Sequence, residues 1–367
     1  MKTKLILVGG FLGAGKTTLL GEAACRLSQA GKQVGLITND QAAELVDTVL
    51  LEYTNALVSE VSGSCFCCNF PGFTAAIAYI TEKEAVDVII AEPVGSCTDL
   101  SATILQPLKD KFADTLRVAP LSVLVDPQQL IHLLDGRVAG LHPSAVYILR
   151  KQLEEADFII INKADRLSPA TAAALQKRTA AEWPWAKVYV ISAKSGDGLE
   201  NWLNDVLQSA AAGKRLAEVD YDIYAEGEAV LGWLNTTVHL QHQSADWDSY
   251  ANQLLNALQQ RLAELPAAVG HVKLLVKTGS GFVLGNITGP DNLITVRGSA
   301  GVGQAATMTL NARAQMEPES LQAIVLEEIS KAGGSAVIAE FAALKCLKPG
   351  HPKPTYRYNQ IIAQVAE

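Results

Sequence analysis

The chain has 367 residues, 49% of them hydrophobic, and a formal net charge of −8. This length suits two domains with sizeable cores. The acidic balance and the lack of a basic run exclude a nucleic-acid surface, and no apolar run reaches the roughly 18 residues of a membrane span. Six cysteines, three of them clustered, are no disulfide framework for so long a chain and point to a reducing, cytoplasmic setting.

The first apolar run, within 3–9, is too short for a secretory signal and reads as a strand. It feeds Gly10-Phe-Leu-Gly13-Ala14-Gly15-Lys16-Thr17, the G-x-x-x-x-G-K-[ST] phosphate loop between a strand and a helix predicted over 16–30. Gly10, Gly13 and Gly15 let backbone N–H groups turn toward phosphate oxygens. Lys16 reaches the β- and γ-phosphates, and the Thr17 hydroxyl suits Mg²⁺. Ala14 and Thr18 are read with them as nucleotide contacts, and the helix N-terminus adds its dipole.

A strand over 33–38 leads into Thr38-Asn39-Asp40-Gln41, with Glu44 and Asp47 beyond. Then comes Cys65-Phe66-Cys67-Cys68, three thiols within four residues. Thiolates suit Zn²⁺ and other soft ions, and added imidazole or carboxylate extends the choice to Co²⁺ and Ni²⁺. Buried core residues, a redox pair and chance compete with that reading. Three thiols leave at least one coordination position open, which suits a site that releases its metal. A helix near 72–82 and a strand over 86–91 bring the chain to Glu92-Pro-Val-Gly95, and Cys97 two residues on is placed to approach nucleotide or metal. Cys25 and Cys346 read as core.

A helix near 101–113, a strand over 119–125 ending at Asp126, a helix over 144–155 and a strand over 157–161 follow. The last ends in Asn162-Lys163-Ala164-Asp165, the guanine-reading string of GTPases. The Asp165 carboxylate accepts from guanine N1–H and the exocyclic amine together; adenine would leave that charge unpaired. Asn162 tethers the loops around the base, and the Lys163 stem lies across the ring. After a helix over 168–181 and a strand over 187–191, Ser192-Ala193-Lys194 fits the loop whose backbone caps the guanine oxygen. A helix over 197–209 completes a wound, mainly parallel α/β sheet with helices on both faces.

Composition shifts near 213–227, read as a linker, so that residues 1–212 form the nucleotide domain and 228–367 a smaller α+β domain. The latter is predicted as strand 228–241, helix 246–264, strands 271–278, 281–288, 292–297 and 305–311, helix 317–332 and strand 335–344. His239 and His242 read as surface histidines, since spacing of three puts them on opposite faces of a strand. The tail Lys348-Pro-Gly-His-Pro-Lys-Pro-Thr-Tyr-Arg357 is a proline-stiffened segment that wraps the nucleotide domain, offers a partner surface or packs as a terminal arm.

The phosphate loop, the S-C-F-C-C string, Glu92-Pro93-Val94-Gly95, and Gln152-Leu153-Glu154-Glu155-Ala156-Asp157 leading into N-K-A-D resemble the CobW-type metal-handling GTPases, over residues 1–210. Ser64 stands where that family usually has glycine, with Gly63 adjacent. The resemblance implies a ferredoxin-like C-terminal domain and metal ligation by Cys65, Cys67 and Cys68. It also implies that Glu92 holds a Mg²⁺-bound water, that Gly95 meets the γ-phosphate, and that Asp47 is a Mg²⁺-side switch residue. No residue resembles a catalytic base or cis arginine finger, so slow GTP turnover is expected. The expected function is a GTP-binding metallochaperone or insertase for a client metalloenzyme, with the oligomeric state, a homodimer included, left open. Two other readings remain: a GTPase activator of a cobalamin- or metal-dependent enzyme, and a metal sensor or store.

Overall fold

The computed structural model describes residues 2–39, 46, 51, 56–137, 141–265, 269–287, 294–334 and 336–364. Asp40, Gln41, Glu44 and Asp47 lie outside the described residues. The chain divides into two compact units, one drawn from 1–41, 47–227 and 351–367, the other from 42–46 and 228–350.

The first unit is built on β1 (Thr3–Gly10), whose Leu5-Ile6-Leu7-Val8 run is fully buried. A strand apolar on both faces needs helices on both sides, which is the signature of a parallel sheet. Around β1 stand β2 (Val34–Asn39), β3 (Leu57–Val61), β4 (Val88–Ala91), β5 (Leu116–Val118), β6 (Ser122–Val125), β7 (Phe158–Ile161) and β8 (Lys187–Val190). The order is β3-β2-β4-β1-β6-β7-β8, with β5 also paired to β1, and every pairing is parallel. β5 flanks residues 3–5 of β1 and β6 takes over at 8–10. The strand expected over 119–125 is thus the upper half of a longer one broken at Pro120, which has no N–H to give the ladder.

The helices are α1 (Lys16–Gln29), α2 (Phe70–Lys83), α3 (Gln106–Lys111) behind a π-turn at Ser101–Leu105, α4 (Pro127–Leu134), α5 (Pro143–Glu155), α6 (Pro169–Glu182) and α7 (Leu199–Gln208). α1 turns Leu19, Leu20, Ala23, Ala24 and Leu27 onto Ile6, Val8, Ile90 and Leu124. Cys25, expected in that core, is exposed instead, because it falls off this i, i+3/i+4 stripe. β3 and α4 lie where the sequence predicts no element.

Helix α8 (Tyr221–Ala229) occupies the end of the expected linker. The second unit then runs β9 (Gly232–Asp246), α9 (Trp247–Ala263), β10 (Val269–Lys277), β11 (Phe282–Ile287), β12 (Thr295–Ser299), β13 (Val302–Ala314), α10 (Pro318–Gly333) and β14 (Ile338–Leu347). Its antiparallel sheet has the order β12-β11-β10-β13-β9-β14. Without the β11–β12 hairpin this is the split βαβ order of the ferredoxin-like fold. One core joins the sheet to both helices through Trp247, Leu254, Leu258, Leu310, Leu321 and Val325. His239 is exposed. The tail, grouped by sequence with this unit, belongs from residue 351 to the first one, because Thr355, Arg357 and Tyr358 bond to Cys67, Asp99 and Ala102 there.

Candidate functional site

In a parallel sheet the loops at the carboxyl ends of the strands share one edge. The ends of β1, β2, β4 and β7 there carry the phosphate loop, Asn39, Glu92 and N-K-A-D.

The phosphate loop needs its glycines. Gly10, Gly13 and Gly15 have φ of 133°, 77° and 96°, a region costly for residues with a Cβ. A Cβ on Gly10 would also stand 2.3 Å from the Leu124 carbonyl oxygen, and one on Gly15 2.5 Å from Asn162 Nδ2. Buried Lys16 donates from Nζ to the Gly10 carbonyl at 2.9 Å and lies 3.8 Å from Glu92 Oε1. Thr17 Oγ1 donates to Glu92 Oε2 at 3.0 Å. That hydroxyl and carboxylate make a hard oxygen pair of the kind Mg²⁺ selects. Gly95 packs so closely that a Cβ there would lie 3.1 Å from Lys16 Nζ. Ala14 is buried and Thr18 exposed.

Asn162 joins the remaining loops. Its Nδ2 donates to the Ala14 carbonyl at 2.8 Å, and its Oδ1 accepts from Ala193 N–H at 2.9 Å. Exposed Asp165 accepts from Ser192 Oγ through Oδ1 at 2.7 Å. Lys163, at φ 58°, pairs its Nζ with Asp126 Oδ2 at 2.8 Å. Asp126 thereby orients the lysine while its other oxygen caps α4. Lys194 is exposed.

The cysteine loop is fastened by Asn39, a residue the sequence gave no such task. Its Nδ2 donates to the carbonyls of Val61 and Ser64, both at 2.8 Å, and its Oδ1 accepts from Phe66 N–H at 2.8 Å. Gly63, at φ 88°, supplies the turn that glycine at position 64 would otherwise provide. The Cys65 carbonyl accepts from Asn69 N–H at 2.8 Å, so the cysteines sit on the turn that starts α2. The sulfurs of Cys65, Cys67 and Cys68 lie within 4.8 Å of one another, with Cys65 and Cys67 3.0 Å apart. Cys65 and Cys67 are buried and Cys68 half-buried. Hydrogen bonds from the Cys67, Cys68 and Cys97 thiols hold the Cys65 thiol well below its usual range, despite burial. The same bond to Cys65 pushes Cys67 up, and Cys68 up to about 11. The cluster therefore favours one thiolate ringed by thiols that keep their protons.

Two supports escaped sequence reading. The first is α5. Gln152 Nε2 donates to the carbonyls of Gly95 and Cys97 at 3.1 and 2.7 Å. Glu155 accepts from Thr98 Oγ1 at 3.2 Å and Ser101 N–H at 2.8 Å. The Q-L-E-E string thus braces the segment after Glu92. The second is the tail. Lys353 N–H donates to Cys68 Sγ at 3.2 Å, Thr355 N–H to the Cys67 carbonyl at 2.8 Å, and Thr355 Oγ1 to the Cys68 carbonyl at 3.1 Å. Arg357 Nε reaches Asp99 Oδ2 at 2.7 Å, an oxygen that also accepts from Tyr221.

A family profile described as the CobW/HypB/UreG nucleotide-binding domain matches residues 4–190. The chain belongs to the CobW/HypB/UreG family. Among curated relatives of this CobW/HypB/UreG chain, the zinc chaperone YeiR of Escherichia coli is 30% identical over 178 residues, covering 48% of this chain and 51% of that protein. The zinc chaperone CobW of Pseudomonas aeruginosa is 25% identical over 225 residues, covering 53% and 58%. The chain thus spans little more than half the length of either relative. Among solved structures, HypB from Helicobacter pylori in complex with nickel gives a TM-score of 0.42 at 18% identity, covering 56% of this chain and 86% of that one. Zn(II)-bound YjiA GTPase from E. coli gives 0.38 at 16% identity, covering 89% and 99%. Among the described residues, no helix is long and apolar enough to cross a membrane.

Proposed function

We propose that this chain is a GTP-dependent metallochaperone that carries a transition metal, zinc in the first instance, to a client metalloenzyme. One observation carries the reading: three thiols within 4.8 Å of one another hang from Asn39, at the end of β2, on the sheet edge that carries the nucleotide loops. The names of the zinc-chaperone relatives support the choice of metal.

Gly10, Gly13, Ala14, Gly15 and Thr18 line the phosphates. Lys16 exchanges its loop carbonyls for the β- and γ-phosphates, a better partner for a buried cation. Mg²⁺ would be held by Thr17, Glu92 and Asp47, where it neutralises phosphate charge. Asn162, Lys163, Asp165, Ser192, Ala193 and Lys194 surround the guanine. Gly95 brings its N–H to the γ-phosphate, so the bound nucleotide sets the position of the Glu92–Asp99 segment. Hydrolysis is slow, and the nucleotide state governs shape. The metal is cargo, and linkage requires that metal and nucleotide alter each other's affinity by the same factor.

Titration of the full chain with Co²⁺ and Zn²⁺, with and without GTP and Mg²⁺, tests this. Co²⁺ should produce thiolate charge-transfer absorption that the Cys65→Ala/Cys67→Ala double variant abolishes. Binding should strengthen with rising pH as thiols ionise. Identical binding by the double variant would place the ligands elsewhere; affinity indifferent to GTP would remove the gating.

A further inference from the structure

Three cysteines from one short loop do not fill the tetrahedral shell that Zn²⁺ takes in closed sites. The fourth donor must come from another segment or from outside the chain. Cys97 stands on such a segment. It is 1% exposed, and its thiol hydrogen-bonds those of both Cys65 and Cys67. Its backbone is fixed on both sides of the side chain: Cys97 N–H donates to the Val94 carbonyl at 2.9 Å, and its own carbonyl accepts from Gln152 at 2.7 Å. Gln152 is fully buried, so the thiol is aimed at the cluster by a rigid support.

We propose that Cys97 is the fourth thiolate of the metal site, closing the shell begun by Cys65, Cys67 and Cys68. The proposal rests on the metallochaperone reading and gives it a mechanical link. Three ligands belong to the loop fastened to β2 through Asn39. The fourth belongs to the segment that follows Glu92 and includes Gly95, whose Cα lies beside Lys16 Nζ. A nucleotide that shifts Gly95 shifts a ligand two residues away. One nucleotide state then closes a four-sulfur shell, and the other opens one position through which a client ligand enters. The shell divides by access: Cys65, Cys67 and Cys97 are buried, and Cys68 is half-buried.

Zinc-edge X-ray absorption on the wild-type full chain, loaded with one equivalent of Zn²⁺ in the GDP and GTP states, reads the ligand set without mutation. Four sulfurs at about 2.3 Å in at least one state are expected; three or fewer sulfurs plus nitrogen or oxygen in both states overturn the proposal. Cys97→Ser is the companion variant. Its Co²⁺ charge-transfer intensity should fall by about a quarter, as for one thiolate of four, and its Zn²⁺ affinity by more than the roughly 10–100-fold that losing an outer partner of a ligand costs. Unchanged intensity in Cys97→Ser, with folding verified by circular dichroism, would make Cys97 a neighbour and not a ligand. A three-sulfur site that still responds to GTP would sink the Cys97 assignment alone. Failure of the wild type to bind Zn²⁺ or Co²⁺ would overturn the metallochaperone reading with it.

Discussion

At the scale of single residues, Asn39 does more than its place at a strand end suggests. One buried amide closes three hydrogen bonds to the cysteine loop, each at 2.8 Å. Asn39→Ala would orphan two carbonyls and an N–H, at a cost of about 2 kcal/mol or more. The loop it orients should lose roughly 10–100-fold in metal affinity, as when other outer supports of ligands are removed. Urea denaturation and Co²⁺ titration measure the two effects; wild-type metal affinity in a folded variant would show that the loop holds its shape unaided. Asp165 carries the choice of base. Ser192 engages one carboxylate oxygen and fixes the side chain's direction. Asp165→Asn should lose GTP affinity and gain xanthosine triphosphate affinity, because xanthine offers an acceptor where guanine has an amine. Direct binding of GTP, ATP and XTP would reveal this, and an unaltered order of affinities would contradict it.

At the scale of elements, α5 shows why part of the site was legible and part was not. The phosphate loop and N-K-A-D are local devices, so their residue types and order could be read from the string. The α5 brace is not local: Gln152 and Glu155 act on carbonyls, an N–H and a hydroxyl more than 50 positions away. The Q-L-E-E string was visible as a mark of kinship, but the load it bears was not. β3 escaped for another reason. Leu57-Val-Ser-Glu-Val61 is a short edge strand, half-buried along most of its length, and its alternation is too brief to stand out. α8 is acidic and weakly patterned, and it reads as linker.

The brace also titrates. Burial, with the Asp99 charge adding to it, raises Glu155 from 4.5 to about 8. Between those values the folded chain keeps a proton that the unfolded chain releases. Stability contributed by this group is therefore full at low pH, falls as pH climbs from about 4.5 toward 8, and levels off above that. Asp99, also raised by burial, adds slope of the same sign. Glu155→Gln should flatten the decline and leave only the Asp99 part. Denaturation midpoints at pH 5, 6.5 and 8 would record it; parallel pH profiles for variant and wild type would mean that Glu155 does not titrate in this range.

At the scale of the whole molecule, the first unit is assembled from distant stretches of chain. Residues 351–364 return to it after the second unit has been traversed, and the ion pair from Arg357 to buried Asp99 pins their register. Ending the chain at Gly350 should leave the second unit intact and strip Cys68 of its N–H donor and its cover. Alkylation of Cys68, followed by peptide mass spectrometry, should then run several-fold faster than in the full chain. An equal rate would deny the tail a shielding role. The same feature sets an order in time. Cys68 precedes its partner Lys353 by 285 positions, which at ribosomal speeds of about 5–20 residues per second is a delay of roughly 15 to 60 seconds. Throughout that interval the nascent cysteine loop lacks the last segment to be made, and a metal ion or an oxidant meets its thiols before their clasp exists.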